Sequence, residues 1–397
     1  MKSTRPRSQH DRSCRPSGFG VLLLAALLFP GFSLAAKQDP AARYTPVTQR
    51  FDLSSLPGDI PIWISESGGY DSNDPPKWAR NSLLCDSTGN PTRGMCEIGR
   101  GSWAQWGSTG RSEVSLTFTE ERSQQTIVLN LRGYHTIHYN PRSECGEGGH
   151  TEYKLYGVGA ITCYSGQRAS EARFNVWLPG SELARIPFGG VWKADLWLYL
   201  TQWSPKKELA IWQAPITLDV TDNRNMQIYF PQFGLASPHV DLGLRPLPGT
   251  GSAALMAGQA STDMCLYDGF GSNSGSMELL MRDNSGNANA AGRPPGAFSV
   301  YREGASPADP ANRLDYTVSM PDILTRQPLT VSNGQTMRWN GTGRAEMRPV
   351  RLPSMTHPVM CYPAPLQLQV PPFTTAGKNA GRYTGTLSVI FTPSTNR

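Results

Sequence analysis

The sequence predicts an all-β protein: two β domains behind an export signal. Three observations carry that expectation. Glycine (40) and proline (33) exceed the ~28 and ~20 that average usage gives a chain of this length. They break helix interiors at ~1 and ~3 kcal/mol each, which disfavours long-helix bundles and coiled coils. Apolar residues recur at every second position in run after run, which puts them on one face of a strand. Nine of the ten tryptophans fall between Trp63 and Trp212, with only Trp339 beyond, an asymmetry that points to two separately built halves. A hydrophobic content of 38% argues against wholesale disorder.

Taken from the N-terminus, Lys2, Arg5, Arg7, Arg12 and Arg15 form a basic segment. Residues 19–32 (FGVLLLAALLFPGF) form a short apolar run, and Ser33-Leu34-Ala35-Ala36 a small-residue cleavage site. That order is a secretory signal over residues 1–36, and its apolar run is too short to span a bilayer. The basic segment is long, which leaves room for a translation start downstream of Met1. No later stretch approaches the ~18 apolar residues of a spanning helix. Losing the signal removes five basic residues and one acidic, Asp11, so the net charge falls from +6 to +2. A nucleic-acid footprint needs a concentrated basic stripe. None remains, and no nucleic-acid partner is expected.

In the first domain Leu196, Leu198 and Leu200 alternate with Trp197 and Tyr199, and Ile216, Leu218 and Val220 follow. In the second come Met226, Ile228 and Phe230, then Val240, Leu242 and Leu244, then Leu366, Leu368 and Val370. The last run is Leu387, Val389 and Phe391. Gly, Pro, Asn and Asp clusters separate these runs as turns, and many short strands so punctuated read as sandwiches or barrels. The best helix candidate is SELAR, Ser181 to Arg185, bracketed by Pro179 and Pro187. Thr221-Asp222-Asn223-Arg224-Asn225 fits a hairpin turn or an interdomain joint. The tryptophan boundary falls there, so it is read as the joint, dividing the mature chain into residues 37–222 and 223–397. Residues 286–310 read as a surface loop.

Cys14 leaves with the signal, and Cys85, Cys96, Cys145, Cys163, Cys265 and Cys361 remain. An even count in an exported chain reads as three disulfides, with connectivity open in principle. Proximity favours Cys85–Cys96 and Cys145–Cys163, which leaves Cys265–Cys361. A zinc site needs close CxxC-type pairs; there are none, and no metal is expected.

Enzyme signatures are missing. GxSxG, HExxH, a P-loop and a Rossmann fingerprint do not occur, and no cofactor or catalytic residue is expected. Gly99-Arg100-Gly101 lacks a strand-to-helix context, and Trp103 and Trp106 beside it read as loop. His135 and His138, three apart on a strand, face opposite sides and make no metal pair. Glu120-Glu121, and Glu144 with Glu147, are the acid pairs a secreted glycosidase would use, but separation in space defines that mechanism. An excess of tryptophan on an exported β domain points instead to carbohydrate. Indole faces stack on sugar rings, and arginine pairs bidentately with carboxylates such as sialic acid. Most of the tryptophans are nonetheless expected in the core.

Several motifs are distinctive as an ordered set: residues 186–192 (IPFGGVW), 225–233 (NMQIYFPQF), 240–246 (VDLGLRP), 263–269 (DMCLYDG), 358–363 (PVMCYP) and 383–393 (YTGTLSVIFTP). With all six mature cysteines at matching places, they resemble the tip adhesins and pilus initiators of the alternate chaperone–usher fimbriae. The resemblance runs from about Trp78 to the C-terminus. It implies two tandem immunoglobulin-like β-sandwich domains, an N-terminal adhesin domain and a C-terminal pilin domain missing one strand. A missing strand leaves an open edge and an apolar groove, closed by a strand from another chain. The implied donors are a periplasmic chaperone and then the N-terminal extension of the major pilin, with delivery through an outer-membrane usher to the fimbrial tip at the cell surface. Leu387, Val389 and Phe391 are the candidates for lining the groove, although an ordinary core strand shows the same alternation.

The resemblance also implies a receptor site built on an arginine cluster. One arginine five residues before the first cysteine matches Arg80. The other two, after the strand that follows PFGGVW, are replaced by Gln202 and Trp203, with Lys206 and Lys207 next to restore positive charge. Arg80, Trp203, Lys206 and Lys207 are therefore the expected contacts to a host-cell glycan or glycoprotein, and a solvated surface arginine is the plain alternative for Arg80. The function so implied is a non-enzymatic tip protein that binds a host receptor and starts fibre assembly by donor-strand complementation. A free secreted carbohydrate-binding lectin with complete domains is the alternative, and a secreted glycosidase a lesser one.

Overall fold

In the computed structural model, the described residues are 37–97, 109–139, 145–146, 148–159, 161–203, 205–234, 237–248, 254–284 and 292–394. The signal-peptide expectation for residues 1–36, and the readings of Trp103, Trp106, Glu144 and Glu147, lie outside them. Among the described residues no helix is long and apolar enough to cross a membrane.

The N-terminal domain folds its strands against one another in two layers. In one layer Ile60–Asp71, Glu171–Leu178, Thr126–His138 and Ser112–Glu120 are antiparallel neighbours. In the other, Gly190–Gln202 lies between Ser82–Cys85 and Lys207–Thr221. The layers join where Trp192 and Lys193 pair with Glu120 and Thr119. Strict alternation decides which face goes inward: Leu196, Leu198 and Leu200 are fully buried, while Trp197 and Tyr199 between them are half-buried. They meet Leu116, Phe118, Leu129, Leu131, Phe174 and Val176 of the first layer in one core. Aromatic rings cross it, with Phe174 5.5 Å and Trp63 5.3 Å from Trp212. Trp63, Trp78, Trp192, Trp203 and Trp212 are buried, and Trp177 and Trp197 half-buried. The first strands of the domain are spent inside it. Lys37–Gln38 pairs with Tyr70 and Asp71, and Val47–Asp52 runs parallel to Lys207–Thr221.

The strand Lys207–Thr221 ends at the polar segment, and the next, Gln227–Tyr229, belongs to a different sheet. The C-terminal domain has its own core of Phe230, Leu266, Leu279, Met281, Phe298, Val318, Leu368 and their neighbours. Its main layer orders Leu255–Thr262, Leu366–Thr374, Arg313–Pro321 and Phe298–Arg302, and opposite it Ser276–Asp283 lies between Thr336–Asn340 and Leu387–Ser394. Three disulfides are present: Cys85–Cys96, Cys145–Cys163 and Cys265–Cys361.

Three expected elements differ. Residues 286–310, expected as a surface loop, contain the strand Phe298–Arg302, which pairs with Arg313–Pro321 and buries Phe298 in the core. The expected helix at Ser181 to Arg185 is the single turn Gly180–Leu183, because Pro179 starts it and Ile186 and Pro187 lead into the next strand. The strand expected over Val240, Leu242 and Leu244 makes no ladder, and only Arg245–Pro246 pairs, with Leu255–Thr262. Of the three, Leu242 packs on the core and Leu244 is exposed, so the alternation does not mark one buried face.

Two of the distinctive motifs meet at the domain seam. A Cβ on Gly189 would lie 2.1 Å from the Gly269 carbonyl oxygen, and one on Gly269 2.5 Å from that of Asp222, with Gly269 at φ +67. Only glycine lets backbones approach so closely in that conformation.

Candidate functional site

The short helix Pro76–Ala79 ends at Arg80, whose backbone N–H donates to the Trp78 carbonyl. Four strand residues follow, and the register Ser82↔Thr201, Leu84↔Tyr199 sets them beside the end of Gly190–Gln202. Arg80 is half-buried at this corner. Trp203 corrects the expectation of a ligand-facing indole. It is 3% exposed, its Nε1 donates to Ser82 Oγ at 2.9 Å, and its ring face is not open to a sugar. Its place is beneath the surface, where it carries Lys206, whose Nζ stands 5.1 Å from the ring centre. A cation over an indole face is attracted electrostatically, so the ring favours this placement of the exposed Lys206. Lys207 is exposed and pairs across the strand with Gln202.

Beside this corner is a cleft of about 350 Å³ lined by Leu84, Cys85, Asp86, Tyr199, Thr201, Lys206 and Glu208. Three neighbouring strands supply it, and the Cys85–Cys96 disulfide ties down one wall. The Tyr199 hydroxyl donates to Asp86 Oδ1 at 2.8 Å. That bond, with some burial, raises the phenol above its ordinary pKa. Asp86, Tyr199 and Glu208 did not stand out in the sequence. The one signal was that Tyr199 occupies an outward position in the Leu196–Leu200 alternation.

The second candidate site is the last strand. Leu387–Ser394 pairs with Ser276–Asp283, setting Phe391 opposite Leu279 and Val389 opposite Met281. Cross-strand partners share a face. Leu279 and Met281 are fully buried, yet Leu387, Val389 and Phe391 are only half-buried, and Ile390 on the other face is 41% exposed. Among the described residues no strand pairs with the far edge of Leu387–Ser394. The core is therefore covered on one side of this strand and open on the other.

Comparison with known proteins matches residues 32–223 to the first domain of the CFA/I fimbrial protein CfaE and residues 226–395 to its second domain. The chain belongs to the CfaE family. The CFA/I fimbrial protein CfaE from Escherichia coli is 32% identical over 321 residues, 79% of this chain and 81% of its own. The crystal structure of CfaE, the adhesive subunit of CFA/I fimbria of enterotoxigenic Escherichia coli, superposes with TM-score 0.77 at 29% identity, covering 91% of this chain and 95% of that one. A chaperone–tip adhesin complex of CFA/I fimbriae biogenesis superposes with TM-score 0.65 at 28% identity, covering 90% and 98%. These CFA/I relatives are adhesins, and of the two acid pairs suited to a glycosidase the described one, Glu120-Glu121, is bound into the structure. Glu120 is fully buried, and its Oε2 accepts from the backbone N–H of Arg122 and Ser123. Its Oε1 accepts from Val191 N and, across the domain seam, from Asn273 Nδ2 at 2.9 Å. Glu121 pairs with Lys193. Both carboxylates are engaged in structure.

Proposed function

We infer that this chain is a fimbrial tip adhesin, exported through the periplasm to the cell surface. Residues 1–36 are its signal, residues 37–222 bind a host glycan or glycoprotein, and residues 223–397 accept a strand from another chain and so start the fibre. The observation that carries this reading is the half-buried stripe Leu387, Val389 and Phe391 on a strand with an open edge, with Val389 and Phe391 opposite the fully buried Met281 and Leu279. An edge of that kind invites pairing with another chain, and β-strand addition supplies both backbone hydrogen bonds and side-chain pockets. A periplasmic chaperone fills the groove first, the usher receives the complex, and the major pilin's N-terminal strand takes the chaperone's place. No catalytic step is assigned.

The fold test is to purify residues 37–397 with and without a peptide from the N-terminus of the major pilin. The peptide is expected to raise the melting temperature. A chain that is monomeric and equally stable without it is the free lectin instead. For the receptor corner, Arg80→Ala and Lys206→Ala are each expected to weaken adherence of fimbriated bacteria about tenfold, the loss of one charged hydrogen bond, at unchanged melting temperature. Full adherence in both variants removes this corner from the site.

A further inference from the structure

We propose that the cleft at Asp86, Tyr199, Lys206 and Glu208 takes a neutral sugar and discriminates against its sialylated form. This rests on the adhesin reading and names the ligand class for that same surface. The lining holds two carboxylates and one ammonium. Asp86 follows the strand on one side of Tyr199, and Glu208 sits on the strand on the other side, opposite Thr201. The two acceptors therefore flank the tyrosine from neighbouring strands. Ionised carboxylates only accept hydrogen bonds, and sugar hydroxyls donate them. Tyr199 holds Asp86 Oδ1, which fixes that carboxylate and leaves Oδ2 for a hydroxyl. The half-buried Tyr199 ring gives an apolar wall for the face of a pyranose, with Leu84 packed beneath it. Lys206, positioned over Trp203, donates to a ring or hydroxyl oxygen and does not need an anionic partner. At about 350 Å³ the cleft lies at the small end of ligand pockets, which run ~300–1,000 Å³, and suits one or two sugar rings.

A sialic acid carboxylate would meet two groups of its own charge that have no proton to give. Recognition of that carboxylate favours a bidentate guanidinium, and the lining holds none, neither Arg80 of the neighbouring corner nor any other. Arg93, a nearby guanidinium, stands 4.4 Å from the centre of the Trp197 ring and outside the lining.

The test is binding of purified fimbriae carrying the chain to an array that pairs neutral oligosaccharides with their sialylated forms. Neutral members are expected to bind, and their sialylated forms about tenfold more weakly or worse. Asp86→Asn and Glu208→Gln should each cost neutral binding about tenfold, with the melting temperature of the purified chain unchanged. The asparagine amide keeps an oxygen for Tyr199. Glu208→Gln should also narrow the neutral-to-sialylated ratio, which a merely structural role would not move. Binding confined to sialylated members, neutral binding that survives both substitutions, or silence across the array each overturns the proposal. If the array is silent but fimbriated bacteria adhere and lose adherence in Arg80→Ala, only the ligand class falls. If they do not adhere at all, the adhesin reading falls with it.

Discussion

At the scale of single residues, the fold decides what a side chain's chemistry is used for. His135 is fully buried, with ring centres of Tyr153 and Phe174 at 5.6 and 5.5 Å, and desolvation pushes its pKa down to about 4. Between pH ~6.5 and ~4 the unfolded chain binds a proton that the folded one refuses, so this stabilisation is complete above ~6.5 and is lost as pH falls, up to about 3 kcal/mol. Denaturant melts across that range should show the slope, and His135→Phe should flatten it. That His135 and His138 face opposite ways was legible from their spacing. The neutral state of His135 was not, because it depends on rings contributed by distant strands. Gly189 is the other case. Alanine there would drive a Cβ into the Gly269 carbonyl, and the expected loss is about 1–3 kcal/mol, as for other overpacked sites, read as a lower denaturant midpoint.

At the scale of the element, the last strand separates two properties that alternation alone confounds. Leu387, Val389 and Phe391 would alternate identically in a finished sandwich. What distinguishes this one is coverage, and coverage depends on whether a neighbouring strand exists. The same limit explains Val240, Leu242 and Leu244, where the alternation formed no ladder and only Leu242 packs on the core. The helix Pro76–Ala79 was illegible for a simpler reason, since one turn has no period to read. Val389→Asp tests the edge. The residue is half-exposed, so the free domain should lose little stability. A donated strand would have to bury an unpaired carboxylate, a cost of several kcal/mol. Binding of the major-pilin peptide should fall about a hundredfold or more, and electron microscopy should show few fibres.

At the scale of the whole molecule, the tryptophan asymmetry and the polar segment after Thr221 made two domains legible, while the seam between them was not. Arg122 of the first domain donates to the carbonyl oxygens of Ser272 and Ala345 and lies by the Tyr362 hydroxyl. No local pattern distinguishes it from a surface arginine. Arg122→Ala removes charged hydrogen bonds worth ~1.5–3 kcal/mol each and should turn a single calorimetric transition into two, one per domain. Retention of one transition would assign the coupling to the other seam contacts, the glycine approaches and the Glu120–Asn273 hydrogen bond. Finally, the strands Lys37–Gln38 and Val47–Asp52 are consumed inside their own sandwich, while the last strand keeps one edge vacant. Under the donor-strand reading proposed above, the last strand receives and these first strands give nothing. In polymer terms that reading makes the protein monovalent: it would end a chain without extending it, so the number of copies reaching the membrane would set how many fibres begin, and the supply of the major pilin only how long they grow.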